Sequence, residues 1–479
     1  MDQNDLPVFN GLLHYKKTQR VSFHVPGHKD GTIFPENAQS IYHALLSIDA
    51  TEVAALDDLY RPTGILREGE ALLSDYYQTE ASYFLVSGST GGNLAMLFAC
   101  LNAGDQVFVQ RDSHKSIFNG MKLIGADPIF LAPMIDEDSG LAFGLGPDTL
   151  LAAIRRYPEA RALVLTYPNY YGMATPIEPL IRLAHAHGLI VLVDEAHGPH
   201  FCLGAPVPQS SLAAGADLVV QSAHKMLPAM TMGAYLHLNS KRVSPERLEN
   251  ARAMLQTSSP SYPIMASLDL ARYYLANLSP DALAAIYEER DAFVDGLNRL
   301  DGIHVLQPSF GRYQLDPFKL TVGLETAENG FAWQERLIES GIFPEMADPD
   351  HVLFTLGIAR RKDDPAILQQ IAASLSGFHR KSVQRERAAI YAFPPSGQLA
   401  VSYTALSHLK AEEVNLENTV GRIAAEPVIP YPPGVPLIIQ GEKVTAEAIR
   451  CALDLLQAGT HFQNQRIAQR KLLIYQSGA

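Results

Sequence analysis

The sequence predicts an α/β fold built on a seven-stranded, mostly parallel sheet. Between about residues 82 and 238, short β-branched apolar runs alternate with segments of helical periodicity, which is typical of βα units on a parallel sheet. The predicted strands are SYFLVSG, QVFVQ, DPIFLAP, ARALVLTYP, LIVLVDEAH, DLVVQSAH and GAYLHL. The connection before GAYLHL is too short for a crossover helix, so we expect this last strand to run antiparallel to its neighbour.

The flanking segments predict an amino-terminal arm and a smaller carboxyl-terminal region of mixed helices and strands. Residues 1–50 form the predicted arm, and residues 51–275 form the large domain that contains the sheet. Residues 276–479 form the α+β region, which starts with helical periodicity and contains the proline-rich segment PYPPGVP. At 479 residues, of which 47% are hydrophobic, the chain is long enough for two or three domains.

Charge and cysteine content argue against several classes of protein. The 38 Lys and Arg residues against 51 Asp and Glu residues give a net charge of −13, which disfavours binding to nucleic acid and to anionic membranes. The three cysteines lie far apart and outside any metal-binding spacing, so we expect neither a disulfide framework nor a metal site. The sequence shows no signal peptide and no long apolar stretch, so we expect a cytoplasmic protein.

Polar residues follow the predicted strands at the sheet edge where α/β proteins bind ligands. The segment SGSTGGN, after the first strand, places the Ser89 and Thr90 hydroxyls and the Gly91 amide at the start of a helix, which favours a phosphate. An ordinary glycine-rich turn is an equal alternative. His114 follows the second strand, where a helix cap or a surface histidine is the commoner interpretation.

Asp194 and Lys225 follow two later strands. A carboxylate at the end of the apolar run LIVLVD needs a partner, because burying it unpaired is costly, and a cationic ring nitrogen would supply one. A helix cap is the alternative for Asp194. Burial lowers the pKa of a lysine and makes it a nucleophile that forms Schiff bases, whereas a surface charge is the alternative for Lys225.

Together these residues match the requirements of pyridoxal 5′-phosphate (PLP). They supply a phosphate site, a stacking histidine, an acid for the ring nitrogen and a Schiff-base lysine, in that order along the chain. Ser222 and His224, beside Lys225, would help to bind the phosphate. Competing motifs are weaker, because DEAH (194–197) occurs without a Walker A loop, HGPH (197–200) lacks further metal ligands, and Ser222 lacks the G-x-S-x-G of hydrolases.

The motifs resemble those of the prokaryotic PLP-dependent ornithine, lysine and arginine decarboxylases, which have the aspartate aminotransferase fold (fold type I). In chain order these motifs are FHVPGHKDG (23–31), DDLYRPTGILREGE (57–70), SGSTGGN (87–93), DEAH (194–197), SAHK (222–225) and PYPPGVPLIIQGE (430–442). The last motif separates the family from ordinary aminotransferases, although it reads QGE where the family often has PGE. The chain resembles the shorter branch of the family.

The resemblance implies a role for each position. Lys225 would form the Schiff base, His114 would stack on the pyridine ring, and Asp194 would pair with the ring nitrogen. Ala196 would pack against the other face of the ring, and His197 would lie near the phenolic oxygen or the substrate carboxylate. The phosphate would be held by Ser89, Thr90, Gly91, Ser222 and His224.

The resemblance also implies decarboxylation of a basic amino acid, and arginine to agmatine in polyamine biosynthesis is the first expectation. Lysine and ornithine stay open as substrates, and an aminotransferase and a non-catalytic PLP-binding protein stay open as other classes. We expect Glu426, beside the carboxyl-terminal motif, to contact the cationic end of the substrate, with a solvated loop charge as the alternative. The family implies a homodimer or a dimer-based assembly with active sites at the subunit interface.

Overall fold

The protein folds into two compact units that interleave along the chain. In the computed structural model, the residues described are 1–18, 21–54, 56–361, 364–379, 394–406, 408–431 and 434–476. Unit 1 comprises residues 1–100, 190–205 and 209–279, and unit 2 comprises residues 101–189, 206–208 and 280–479. The boundaries predicted after residues 50 and 275 divide the chain differently and stay a prediction.

The secondary structure of the described residues alternates helices with short strands. The helices are α1 (Pro7–Thr18), α2 (Glu36–Leu46), α3 (Ile65–Tyr77), α4 (Gly88–Cys100), α5 (Lys115–Ile124), α6 (Pro147–Arg156), α7 (Glu178–Ala186), α8 (Ala223–Met226), α9 (Pro245–Leu255), α10 (Tyr262–Ala276), α11 (Pro280–Asn298), α12 (Gly330–Glu339), α13 (Asp364–Ser374), α14 (Tyr403–Leu406), α15 (Ala446–Gln457) and α16 (Gln465–Ala468). The strands are β1 (Ala81–Leu85), β2 (Gln106–Gln110), β3 (Asp127–Leu131), β4 (Ala162–Thr166), β5 (Met173–Ala174), β6 (Ile190–Asp194), β7 (Leu218–Gln221), β8 (Ala234–Leu238), β9 (Ile303–Val305), β10 (Gln314–Leu315), β11 (Lys319–Leu324), β12 (Met346–Ala347), β13 (His351–Thr355), β14 (Ser396–Gln398), β15 (Ala411–Asn415) and β16 (Lys471–Tyr475).

Unit 1 contains four hydrogen-bonded strands in the order β1-β8-β7-β6. Strands β6 and β7 run parallel, with Asp194 opposite Val220. Strand β8 runs antiparallel to both β7 and β1, as predicted for GAYLHL. Strands β1, β6 and β7 therefore point in one direction, and their carboxyl ends lie along the same edge.

Unit 2 contains the strands β4-β2-β3-β14 in that order. Strand β2 runs parallel to both β3 and β4, and β14 runs antiparallel to β3. All seven predicted strands are thus present, three of the four strands in each unit share one direction, and the predicted α/β class is confirmed. The eighth strand, β14, was missed because its sequence SGQ contains no apolar residue.

The first half of the predicted arm packs into unit 1. Helix α1 buries Val8 and Leu12, and the Val8 amide donates a hydrogen bond to Asp269 Oδ2 of α10 at 3.0 Å. Further along, the side chains of Phe23 and Ile41 are 93% and 78% exposed. The arm therefore has a buried anchor followed by an exposed apolar segment.

The carboxyl-terminal part of unit 2 has the predicted α+β character. Strands β12, β13, β11 and β9 form an antiparallel sheet in that order, and β15 pairs with β16. A separate apolar core contains Leu416, Val428, Ile438, Ile449 and Leu472.

The described part of the chain contains neither a membrane-spanning helix nor a cluster of metal-binding side chains. The described helices include none with both the length and the apolar character needed to cross a bilayer. Within the same residues, no cluster of three or more His, Cys, Asp or Glu side chains is arranged to bind a metal ion. The cytoplasmic location stays a prediction.

Helix α4 lies close to the sheet of unit 1 because Gly92 has no side chain. A Cβ at this position would lie 2.6 Å from Leu85 Cδ1 of β1 and 2.8 Å from Val220 Cγ1 of β7. Both distances are shorter than real Cβ contacts. Gly92 therefore sets how closely α4 approaches the strands whose carboxyl ends carry the predicted site.

We expect Gly92→Ala to destabilise the protein by about 1–3 kcal/mol, because the added methyl overpacks the contact between α4 and the sheet. Urea unfolding followed by circular dichroism measures the change. Gly357→Ala is the matched control, since a Cβ there would meet nothing within 4 Å. We expect the control to change stability by less than about 0.5 kcal/mol. Equal stabilities of the two variants would contradict the packing argument.

Candidate active site

Three loops of unit 1 carry most of the predicted site residues, and each follows one of the strands β1, β6 and β7. The loop after β1 continues directly into the first turn of α4, the loop after β6 begins with turns and contains a 3₁₀ helix (Phe201–Leu203), and the loop after β7 contains α8. In that order, the strand ends together with the segments that follow them contribute Ser89, Thr90 and Gly91, then Asp194, Ala196 and His197, then Ser222, His224 and Lys225.

Asp194 is a buried carboxylate held by donors from two segments. Its side chain is 3% exposed. Asn93 Nδ2 of α4 donates to Oδ2 at 2.8 Å, and the Ala196 amide donates to Oδ1 at 3.2 Å. The residues directly after Asp194 form turns, so the alternative interpretation of Asp194 as a helix cap is wrong.

Asn93 is a site residue that the sequence analysis missed. It is fully buried in α4, one helical turn after Ser89, so the two side chains lie on the same face of the helix. The position of Asn93 as the last residue of the motif SGSTGGN could have indicated a role in the site. Only the structure shows that this motif contacts the carboxylate as well as forming the predicted phosphate site.

Lys225 lies in the short helix α8, and its partner is a histidine from the loop after β6. Lys225 Nζ is 3.0 Å from His197 Nε2, and the His197 side chain is buried. The Ser222 amide donates to the Ala196 carbonyl at 3.2 Å. A side-chain contact and a backbone contact therefore join the loop that carries Asp194 to the loop that carries Lys225.

The predicted phosphate residues meet at the amino terminus of α4. Ser222 Oγ donates to Ser89 Oγ at 3.2 Å, and Thr90 is exposed in the same turn. A Cβ on Gly91 would lie 2.9 Å from Ser87 Cβ, so the turn requires a small residue. The His224 ring is anchored through Nδ1, 3.1 Å from the Gly233 carbonyl oxygen. Hydroxyls at a helix start suit a phosphate, whereas the Gly91 amide donates to the Ser87 carbonyl at 3.3 Å.

His114 and Glu426 belong to unit 2. His114 caps α5, since its Nδ1 accepts hydrogen bonds from the Ser116 amide at 3.3 Å and from Ser116 Oγ at 2.8 Å. Glu426 accepts from Arg466 Nη1 at 3.0 Å and from the Leu473 amide at 2.8 Å. Both side chains have structural partners within unit 2, and their roles in cofactor and substrate binding stay predictions.

Arg111 fixes the carboxyl-terminal motif in unit 2 and was also missed. Its buried guanidinium donates to the carbonyl oxygens of Pro436 at 2.6 Å and Leu437 at 3.0 Å, and to Glu442 Oε2 at 3.0 Å. These three acceptors all lie in PYPPGVPLIIQGE, of which residues 432 and 433 fall outside the described residues. Arg111 directly follows β2, so the loop after this strand anchors the motif.

The anchored motif lies beside His114. A Cβ on Gly434 would be 3.9 Å from His114 Cδ2 and 3.5 Å from Tyr431 Cδ2, and Gly434 has a φ of +89°. A side chain at this position would be strained by the backbone conformation. The glycine of the motif thus lets the chain turn next to the imidazole ring.

Comparison with known proteins identifies the family. Residues 6–364 match the family model described as the Orn/Lys/Arg decarboxylase major domain, and residues 387–466 match that of the Orn/Lys/Arg decarboxylase C-terminal domain. The chain belongs to the ornithine/lysine/arginine decarboxylase family. It is a PLP-dependent decarboxylase of basic amino acids, as the motifs indicated.

Individual relatives extend over nearly the whole chain. The chain is 40% identical to the uncharacterized protein YaaO of Bacillus subtilis (strain 168), over 98% of both chains. It is 33% identical to an arginine decarboxylase of the same organism, over 97% of this chain and 96% of the relative. The lysine decarboxylase LdcF of Francisella novicida has a similar structure, with a TM-score of 0.82 at 19% identity over 98% of this chain and 81% of that chain. This likeness confirms the predicted fold type I.

The residues of unit 1 fit the cofactor PLP. A buried, doubly hydrogen-bonded carboxylate complements a protonated ring nitrogen, and a lysine within reach of a buried histidine suits a covalent attachment point. The start of α4, with the paired hydroxyls of Ser89 and Ser222, suits the phosphate.

We expect Arg111→Met to loosen the carboxyl-terminal motif, because the motif loses the three hydrogen bonds that the buried guanidinium donates to it. Amide hydrogen exchange of residues 434–442 should accelerate at least about tenfold, while exchange in β15 and β16 should stay near that of the wild type. Arg111→Lys keeps the charge and should give a smaller increase. Unchanged exchange in Arg111→Met would show that the motif does not depend on this arginine.

Proposed function

We propose that the protein decarboxylates L-arginine to agmatine and CO₂ in polyamine biosynthesis. The supporting observation is the 33% identity to an arginine decarboxylase over nearly the full length of both chains. The lysine decarboxylase LdcA of Pseudomonas aeruginosa is 24% identical, and the match covers 76% of its length. Lysine and ornithine are the alternative substrates, and the proposed contact of Glu426 with the cationic end of the substrate applies to all three.

Lys225 and His197 are proposed to hold the cofactor and to move protons. When bound, PLP supplies an electron sink for the electrons that remain when the carboxylate of the substrate leaves as CO₂. Lys225 would hold the cofactor through Nζ and would also be the proton donor to Cα of the substrate. Because that proton leaves with the product, Nζ needs a replacement, and His197 Nε2, 3.0 Å away, would pass one to it, which would make the pair a general acid and base.

Asp194 is proposed to keep the ring nitrogen of the cofactor protonated. The two hydrogen bonds from Asn93 and the Ala196 amide fix the carboxylate before the cofactor arrives, so little reorganisation is needed during the reaction. His114 and Ala196 are proposed to cover the two faces of the ring. The proposed phosphate ligands are Ser89, Thr90, Gly91, Ser222 and His224.

A homodimer, or an assembly of dimers, is proposed as the working form. The apolar side chains of Phe23, Val25, Ile33 and Ile41 are all more than half exposed within one short segment of unit 1. Contiguous exposed apolar side chains favour an interface over free solvent exposure, and a second copy of the chain is the proposed occupant.

Release of CO₂ from arginine, lysine and ornithine by the PLP-loaded protein tests the substrate. We expect kcat/KM for arginine to exceed the other two by at least about tenfold, because buried polar groups that match a guanidinium are left unpaired by an amine. Agmatine identified by mass spectrometry confirms the product, and Lys225→Ala is the inactive control. A higher kcat/KM for lysine or ornithine would show that the proposal of arginine as the substrate is wrong. A keto acid product would indicate an aminotransferase.

Asp194→Asn should lower turnover about a hundredfold to a thousandfold, corresponding to about 3–4 kcal/mol for one preorganised charge interaction. Borohydride should still trap the cofactor on Lys225, because the attachment point is unchanged. Asn93→Ala removes one of the two donors and should reduce turnover less, by about tenfold. Turnover of Asp194→Asn near the wild-type value, with cofactor bound, would assign Asp194 a structural role only.

A further inference from the structure

A chain of buried polar side chains crosses unit 1 next to the candidate site. Gln221 Nε2 donates to Glu195 Oε1 at 2.7 Å, and Gln221 Oε1 is 3.1 Å from His237 Nε2. His237 Nδ1 is 2.7 Å from Ser82 Oγ, which in turn is 2.7 Å from Thr79 Oγ1. The side chains of Glu195, Gln221 and His237 are fully buried. None of them has a role in the proposed reaction.

This hydrogen-bonded series of side chains lies directly behind the residues proposed to bind the cofactor. Glu195 follows Asp194 at the end of β6, and Gln221 precedes Ser222 at the end of β7. Neighbouring residues of an extended chain point to opposite faces of a sheet, and Asp194 faces α4 through Asn93. Glu195 and Gln221 therefore join the same two loops from the opposite face.

Glu195 sets the direction of the hydrogen bonds because each of its partners in the described part of the chain donates to it. The Ser211 amide donates to Oε2 at 2.6 Å, and Ser210 Oγ and Gln221 Nε2 donate to Oε1. Burial raises the pKa of Glu195 to about 7, and its hydrogen bonds to Ser210, Ser211 and Gln221 counteract this rise. Above about pH 7 the carboxylate is therefore ionised and can only accept, so the measurements below are made at about pH 8 or higher.

The same donor-to-acceptor direction continues through the imidazole ring of His237. Since Gln221 gives its amide nitrogen to Glu195, its Oε1 faces His237 and must receive a proton from Nε2. Burial lowers the pKa of His237 to about 3, so the ring is neutral and Nδ1 accepts from Ser82 Oγ. Thr79 Oγ1 then donates to Ser82.

We propose that Glu195 and Gln221 are a positioning pair that sets the spacing between the Asp194 loop and the Lys225 loop, and that Glu195 holds the proton of His237 on Nε2. The inference rests on the proposed placement of Asp194 and Lys225 in one PLP site. PLP affinity and the tautomer of His237 are both measured without substrate. Their outcome therefore does not depend on whether the protein decarboxylates arginine.

We expect Glu195→Gln to reverse the donor-to-acceptor direction of these hydrogen bonds while keeping a side chain of nearly the same size. The Ser211 amide is a fixed backbone donor, so the new amide must turn its oxygen towards Ser211 and its nitrogen towards Gln221. Gln221 then turns over and donates to His237 Nε2, which moves the ring proton to Nδ1. Ring ¹⁵N chemical shifts of histidine-labelled apoprotein distinguish the two tautomers, and the His237→Gln spectrum identifies the signal.

The exchanged double variant, E195Q with Q221E, restores the direction. The carboxylate then stands at position 221, where it accepts from the amide at 195 and from His237 Nε2. The single variant Q221E instead places two carboxylates together, and we expect it to be the weakest cofactor binder of the set.

Titration of each apoprotein with PLP, followed by absorbance, measures the positioning effect. We expect E195Q to bind PLP about tenfold more weakly than the wild type, and the double variant to recover to within about threefold. Asp217→Asn is the control for stability, because Asp217 is another buried carboxylate of unit 1, at the amino end of β7, where it accepts from the Val191 amide at 2.8 Å. This control should lower the melting temperature but leave PLP affinity unchanged.

Three results would overturn the proposal. The first is an unchanged His237 tautomer in E195Q, and the second is PLP affinity in E195Q within twofold of the wild type. The third is an affinity loss in D217N equal to that in E195Q, which would make the effect one of general stability. If E195Q does not fold, the same measurements on the double variant decide, because recovery of both readouts there supports the pair and their loss refutes it.

Discussion

The buried carboxylate of Asp194 is the interaction on which the rest of unit 1 depends. A carboxylate that is 97% removed from solvent needs donors, and one of the two that the described residues provide comes from α4. Asn93 can reach the carboxylate only because Gly92 lets α4 approach β1 and β7 closely. The same approach brings Ser89 to Ser222. One glycine contact therefore places both the acid and the predicted phosphate site.

The fold and the main site residues could be predicted because their signals are local. Each of the seven predicted strands is a short apolar run, and Asp194 and Lys225 are polar residues at strand ends, where ligands bind in this class of fold. The His197–Lys225 contact joins two residues that were both predicted, although their proximity required the parallel pairing of β6 and β7. The helix-cap alternative for Asp194 was wrong because turns follow it.

The missed features all depend on partners far away in sequence. In the sequence, residue type alone does not distinguish Asn93, Arg111 and Glu195 from other polar residues. The structure gives each a distant partner: Asp194 for Asn93, the carboxyl-terminal motif for Arg111, and Gln221 for Glu195. Strand β14 has no apolar residue and exists through its ladder with β3 alone. Residues of this kind are identified by a three-dimensional partner, which neither periodicity nor a short motif encodes.

The order of strands in unit 1 also has a consequence for how the chain emerges from the ribosome. Strand β1 is an edge strand whose neighbour is β8, and about 150 residues of the chain are made between the two. At roughly 5–20 residues per second, β1 waits on the order of ten seconds for its partner. During that time an apolar strand, ASYFL, has no sheet to join. Synthesis rate and chaperone access in this interval thus bear directly on the yield of folded protein.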